Sequence, residues 1–150
     1  MFVEIFMGSC LMLINILIAG LSFWAMETLL VRVSPWFMRA PHSPKLMLAL
    51  IIAALWSLWL VTAGVWVWAL AFDAMGLFQN LEEAVYFSLV TYTTLGFGDV
   101  LLPLKWRLLA GMAAANGLLN MGLLVAVLVE AIRHVRLGQL ASRQTPTKGS

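Results

Sequence analysis

A chain of 150 residues that is 63% hydrophobic and 11% charged is no ordinary soluble domain, in which about a quarter of residues carry charge. Its mean hydropathy of +0.96 marks an integral membrane protein, and its length fits one membrane domain. The net charge of +2 is no nucleic-acid footprint, because Lys and Arg flank the apolar runs, and the single Cys10 excludes an intrachain disulfide.

Residues Ile5 to Met26 carry no charge, and at about 1.5 Å per residue they cross a hydrocarbon core of roughly 30 Å. A cleaved signal peptide needs a basic start and a shorter apolar region. This stretch begins beside Glu4 and reads as a retained first span. Its polar exceptions, Asn15 and Ser22, are expected to bond a neighbouring helix or their own backbone. The segment Arg32 to Lys45 is basic, and Pro35, Pro41 and Pro44 argue against one continuous helix through it. Trp36 and Phe37 beside Arg39 read as a piece lying along the headgroups. Leu46 to Phe72 is a second uncharged run, long enough to span with tilt. Of Trp56, Trp59, Trp66 and Trp68, those near its ends fit interfacial belts and the central ones fit packing.

Asn80-Leu81-Glu82-Glu83 is a helix start, with Asn80 placed to cap and Glu83 to complete a capping box. The helix to about Tyr92 is too short to span, so the chain enters the membrane and turns back. Thr93-Thr94-Leu95-Gly96-Phe97-Gly98-Asp99 follows. Gly reaches positive φ without steric cost, so alternating glycines let successive carbonyls turn to one side. Such irregular backbone is tolerated at membrane depth only where protein buries it or where it lines a water-filled path. A row of carbonyls on such a path coordinates cations.

Leu108 to Val129 is the third span, where Gly111, Gly117 and Gly122 allow close helix approach or bending. Asn116 and Asn120 share a face suited to hydrogen bonds between helices. The tail from Arg133 is polar and basic, and its last residues read as disordered. The first loop and the tail hold most of the basic residues, which places the N-terminus outside and the C-terminus in the cytoplasm. No span carries the basic repeat of a voltage sensor. The tail is too short for a ligand-binding domain, and no acid–base pair is spaced for catalysis. Neither an enzyme, a cofactor nor a nucleic-acid partner is expected.

At Thr94-Leu95-Gly96-Phe97-Gly98-Asp99 the sequence resembles the potassium-channel selectivity filter, usually Thr-Val-Gly-Tyr-Gly-Asp. The likeness runs from about Leu46 to Arg133. Tyr86-Phe87-Ser88 stands where these channels often have Trp-Trp-Ser, and Pro103 matches a proline just past the filter. Gly117-Leu118-Leu119-Asn120-Met121-Gly122 resembles the inner-helix segment that carries a gating glycine. The resemblance implies an all-α membrane protein of the bacterial two-helix type with an extra N-terminal helix. It has three transmembrane helices, a re-entrant pore helix and a filter, assembled as a C4 homotetramer. Residues 1–45 would be the extra helix and basic loop, 46–136 the pore domain and 137–150 a cytoplasmic tail.

By the same resemblance, the carbonyls of Thr94, Leu95, Gly96 and Phe97 bind K⁺ as the permeant ion. Thr93, Gly98, Asp99, Tyr86, Phe87 and Val90 support the filter. Gly117, Leu118, Met121, Gly122, Val125 and Val129 line the cavity and gate. Phe97 for Tyr, Phe87 for Trp and Val90 for a carboxylate remove polar ties behind the filter and leave an apolar cuff. The Tyr86 hydroxyl is expected to bond Asp99 in their place. Independently of the resemblance, Glu130 can meet Arg133 or His134 at the inner end of the last helix as a solvated surface pair. The sharper reading puts the three at the helix crossing, where His134 would make opening sensitive to internal pH. The implied activity is passive K⁺ conduction across a plasma membrane, of the bacterial inner type, among lipids. A weakly selective cation channel and a non-conducting regulatory or structural subunit are the alternatives.

Overall fold

The computed structural model describes residues 2–37 and 42–144. Three long helices and one short one account for nearly all of it: α1 (Phe2–Phe37), α2 (His42–Ala74), α3 (Leu81–Tyr92) and α4 (Arg107–Gln144), the last entered by a single 3₁₀ turn over Leu104–Trp106. Each long helix, α4 taken together with its 3₁₀ entry, contains a stretch long and apolar enough to cross a membrane, namely Phe2–Leu29, Ile51–Ala74 and Leu104–Val129. These agree with the three uncharged runs in the sequence. α3, with 12 residues, cannot cross.

The helices run further than their apolar runs. α1 continues through Pro35 and α2 begins before Pro44. Proline is tolerated in a first helical turn, where its missing N–H has no partner anyway, and Pro44 occupies that position in α2. α4 extends to Gln144, because Glu130 to Gln144 is rich in Ala, Leu, Arg and Gln, all good helix formers.

α1 lies against both α2 and α4, and more extensively against α4. At Gly8 of α1 an added Cβ would run into the side chain of Met112 on α4, so α1 and α4 approach closely there. Further along, Ala19 of α1, Leu60 of α2 and Leu124 of α4 are buried together, and Phe23 meets Trp56 edge to face at 4.8 Å. Lipid tails give helices no hydrophobic reason to associate, so such contacts hold by close packing and hydrogen bonds. The larger core lies under α3. Trp68 and Phe72 of α2, Phe87 and Tyr92 of α3, and Leu109 and Ala113 of α4 are all buried in it. Phe72 stands 5.5 Å from Phe87 and 6.2 Å from Phe78 in edge-on geometry, a contact worth about 0.5–1.5 kcal/mol per pair beyond area burial. The cuff behind α3 at Phe87 is aromatic and apolar, as its sequence implies.

α3 starts where the sequence places it. Asn80 has extended backbone, and its side-chain oxygen accepts the Glu83 N–H at 2.8 Å. The Glu83 carboxylate reaches back to the N–H of Gln79 at 3.3 Å, one residue earlier than in the usual box. Asn80→Ala is expected to cost about 1 kcal/mol, read as a lowered thermal midpoint in detergent. The loss should be smaller in Asn80→Asp.

Candidate functional site: the loop after α3

The last turn of α3 is bound to the loop that follows. The N–H groups of Leu95 and Gly96 both donate to the Val90 carbonyl, at 2.9 and 3.2 Å, and the Thr94 N–H donates to Thr91 O at 2.9 Å. Thr93 gives its N–H at 3.0 Å and its hydroxyl at 2.7 Å to Leu89 O. The loop's first amides are thereby used up on the open carbonyls of the helix end. Among the described residues, the carbonyls of Thr94, Leu95, Gly96 and Phe97 accept no backbone hydrogen bond.

Thr94, Gly96 and Gly98 have φ of 60°, 60° and 77°, while Leu95 and Phe97 between them do not turn positive. Positive φ thus recurs at every second residue of the loop, the backbone pattern that the glycine spacing favours. Two of the left-handed positions are Gly, where this costs nothing. The third is Thr94, a β-branched residue at positive φ, which is a genuine outlier. Strain of that kind persists only where its surroundings over-determine it, and it clusters at functional sites. The Leu95 and Phe97 side chains are 58% and 66% exposed, so one copy of the chain leaves the loop uncovered.

Past the loop, the Tyr86 hydroxyl donates to Asp99 Oδ2 at 2.5 Å. This is the tie expected between those two residues. Val90 and Phe87 are buried behind the loop, on the wall of a cleft of about 320 Å³ that also touches Thr94, Gly96, Asp99 and Gly111.

A family model described as an ion channel matches residues 47–134. That span contains the whole of α3, the loop and most of α2 and α4. The chain belongs to this ion-channel family. The family is a two-helix one that includes potassium-channel pore domains. No curated protein and no solved structure matches the chain.

In this ion channel α4 has two distinct faces. Leu109, Ala113, Asn116, Gly117, Asn120 and Leu124 are buried against the rest of the chain. Gly111, Leu118, Gly122, Val125 and Val129 follow one another at helical spacing on an exposed face, with Met121 half-buried beside them. The sequence-derived set therefore divides. Leu118, Gly122, Val125 and Val129 share the open face, whereas Gly117 faces inward. A Cβ at Gly117 would strike the Tyr92 carbonyl oxygen, and at Gly122 it would meet nothing within 4 Å. Arg133 is exposed, while the side chains of Glu130 and His134 lie outside the described residues.

Asn116 and Asn120 make the interhelix bonds their spacing suggests. Asn116 Oδ1 accepts the Trp68 indole N–H at 3.1 Å, and Asn120 Nδ2 donates to the Tyr92 hydroxyl at 2.5 Å. Asn15 and Ser22 donate to their own backbone, at Leu11 O and Ile18 O. The sequence did not single out Tyr92 or Gly64 as partners. A Cβ on Gly64 would collide with the Tyr92 hydroxyl. The available signals were a lone Gly in the middle of the second apolar run and a polar-tipped aromatic, which usually finds a partner when buried. Neither signal names the other residue.

The Tyr86–Asp99 bond makes a pH prediction. The donated hydroxyl holds the Asp99 carboxyl below its ordinary 3.8, helped by the N–H groups of Asp99 and Val100. The same bond is the main cause that lifts the Tyr86 phenol above its ordinary 10.0. A lowered carboxyl stabilises above its unfolded value and loses this as pH falls through the folded one. A raised phenol stabilises below its unfolded value and loses this as pH rises through the folded one. The tie is therefore intact from 3.8 to 10.0. Sustained current should be independent of external pH across that window. Tyr86→Phe should hasten current decay, because the loop loses the hydroxyl that holds Asp99. Unchanged decay would show that the bond does not hold the loop.

Proposed function

We propose that this ion channel conducts K⁺ selectively, as a homotetramer whose Thr94–Phe97 carbonyls form stacked oxygen rings. The observation that carries the reading is the alternation at Thr94, Gly96 and Gly98, with the intervening carbonyls left without backbone partners. Four such loops around an axis replace the hydration shell of a permeant cation. One chain supplies only one side of each ring, and its exposed α4 stripe and uncovered loop are what a four-fold assembly would enclose. The negative end of the α3 dipole, at Tyr92, points toward the loop's base and favours a cation there.

The excess of Lys and Arg in the first loop and tail puts the N-terminus outside and the C-terminus in the cytoplasm. The loop then opens to the outside of a plasma membrane, of the bacterial inner type. Conduction is passive, and gating lies with α4, the filter or lipid.

A second reading, a weakly selective cation channel, is favoured by one feature. The side chains behind the loop are Phe87 and Val90, so the polar ties that would stiffen it are few. Purified protein in liposomes with an outward K⁺ gradient separates the readings. Selective conduction gives flux that barium blocks and that is lost when Na⁺ replaces K⁺. Equal flux in Na⁺ supports the weakly selective channel, and no flux in either ion supports a non-conducting subunit.

A further inference from the structure

One buried phenol joins the filter's base to α2 and α4, with a polar side chain of α1 close by. Tyr92 is the last residue of α3, fully buried and one residue before Thr93. Its hydroxyl is seated over Gly64 of α2 and accepts from Asn120 of α4. Its backbone and ring root lie against Gly117 of α4, with the ring Cγ only 3.0 Å from where a Cβ would stand. Asn15 Oδ1 of α1 lies 3.1 Å from the same Cβ position at Gly64, and Asn15 is buried. Asn15 falls outside the part of the chain that the family model covers.

Two other buried atoms, Ser88 Oγ and Asn116 Nδ2, have no hydrogen-bond partner among the described residues. Each stands four residues before a member of the Tyr92–Asn120 pair, so the polar seam between α3 and α4 continues for one turn.

We propose that Tyr92 is a positioning residue that ties the innermost filter ring, at Thr94, to the position of α4, and that α1 acts on the same point through Asn15. The proposal rests on the K⁺-channel reading above. Few degrees of freedom remain at the foot of α3. Val90 and Leu89 carbonyls clamp the loop's first residues to α3. The Tyr92 carbonyl on Gly117 and its hydroxyl on Asn120 fix the foot of α3 to α4 at two points one helical turn apart. A displacement of α4 at that level moves Tyr92, and with it Thr93 and Thr94. Asn15 of α1 stands beside the Gly64 seat of that hydroxyl, so a shift of α1 changes the space into which the phenol fits. The extra helix is then a control element on the filter.

The test is barium block of K⁺ current in planar bilayers, because a divalent ion close to K⁺ in size reads ring geometry directly. It is run on wild type, Tyr92→Phe, Asn120→Leu, the double variant and Asn15→Leu, with thermal stability of the assembled channel measured beside it. Tyr92→Phe and Asn120→Leu should each shift the half-blocking barium concentration by about fivefold or more, the size set by one buried hydrogen bond. The double variant should shift no further than Tyr92→Phe alone, since the two act through one bond. Asn15→Leu should shift it in the same direction. If Tyr92→Phe does not assemble, Asn120→Leu carries the comparison.

Loss of thermal stability with unchanged block would make Tyr92 merely structural and overturn the proposal, as would additive shifts. Unchanged block in Asn15→Leu would overturn the part assigned to α1. Absence of current in wild type would refute the channel reading itself, whereas normal wild-type current with unaltered variants refutes only the coupling.

Discussion

Gly96→Ala is expected to abolish K⁺ flux while leaving the chain able to insert and fold. Gly96 has φ of 60°, and an alanine forced there pays about 1–2 kcal/mol. In the proposed four-fold ring that strain falls on every copy at once, so the loop abandons the conformation. Its carbonyls then no longer point one way, and flux should drop by at least about a hundredfold, since each 1.4 kcal/mol is a factor of ten. Gly98→Ala, at φ 77°, should behave alike. The informative control is Gly76→Ala. Gly76 has φ of 64° in the turn between α2 and α3 and carries the same backbone cost away from the loop. It should lower thermal stability and leave K⁺ over Na⁺ preference unchanged. Equal loss of flux in both variants would mean that folding, and not carbonyl alignment, is what Gly96 protects.

Gly117→Ala should be the most damaging single change on α4, and Gly122→Ala among the mildest. At Gly117 the added Cβ meets the Tyr92 carbonyl oxygen and main-chain carbon. Backbone one residue from Thr93 cannot yield without moving the base of the loop. Overpacking of this kind costs about 1–3 kcal/mol, so thermal stability should fall and flux should drop roughly tenfold or more. Gly122 is exposed, with nothing within 4 Å of a Cβ, and alanine there improves helix propensity by up to about 1 kcal/mol. Thermal melting and barium-sensitive flux on the pair of variants check the contrast. Parity between them would show that the Tyr92–Gly117 contact carries no weight.

Much of this site was legible before the structure, for reasons that differ by residue. The start of α3 followed from Asn80 and Glu83, because capping is local chemistry written within four residues. The alternation of left-handed backbone followed from Gly96 and Gly98, since only glycine takes that conformation freely. Thr94 at φ 60° was not legible, because nothing in a threonine announces positive φ. The Tyr86–Asp99 bond came from matching positions in a known family and could not have come from spacing, the two being 13 residues apart. The periodicity of α4 showed that Asn116 and Asn120 share a face, but their partners Trp68 and Tyr92 lie on other helices.

Gly117 marks the limit most clearly. Composition allows a bend or a close approach at an inner-helix glycine, and the resemblance favoured the bend. α4 runs unbroken through it, with Tyr92 pressed against the open side. Pro35 and Pro44 lie in a last and a first turn, and the described residues hold two helices, not one, across this stretch. The neighbours of α1 had no signature at all, because helix pairing in lipid depends on shape and not on hydrophobic pattern.

The central claim is that aligned carbonyls at Thr94–Phe97 make this family member selective for K⁺. The reversal potential of purified channel in a bilayer tests it most directly, with K⁺ concentrations differing about tenfold across the membrane and Na⁺ balancing the charge. The account predicts reversal near the K⁺ equilibrium value, about 59 mV from zero at that ratio for a singly charged ion. Reversal near zero, with current flowing in both cations, would contradict it.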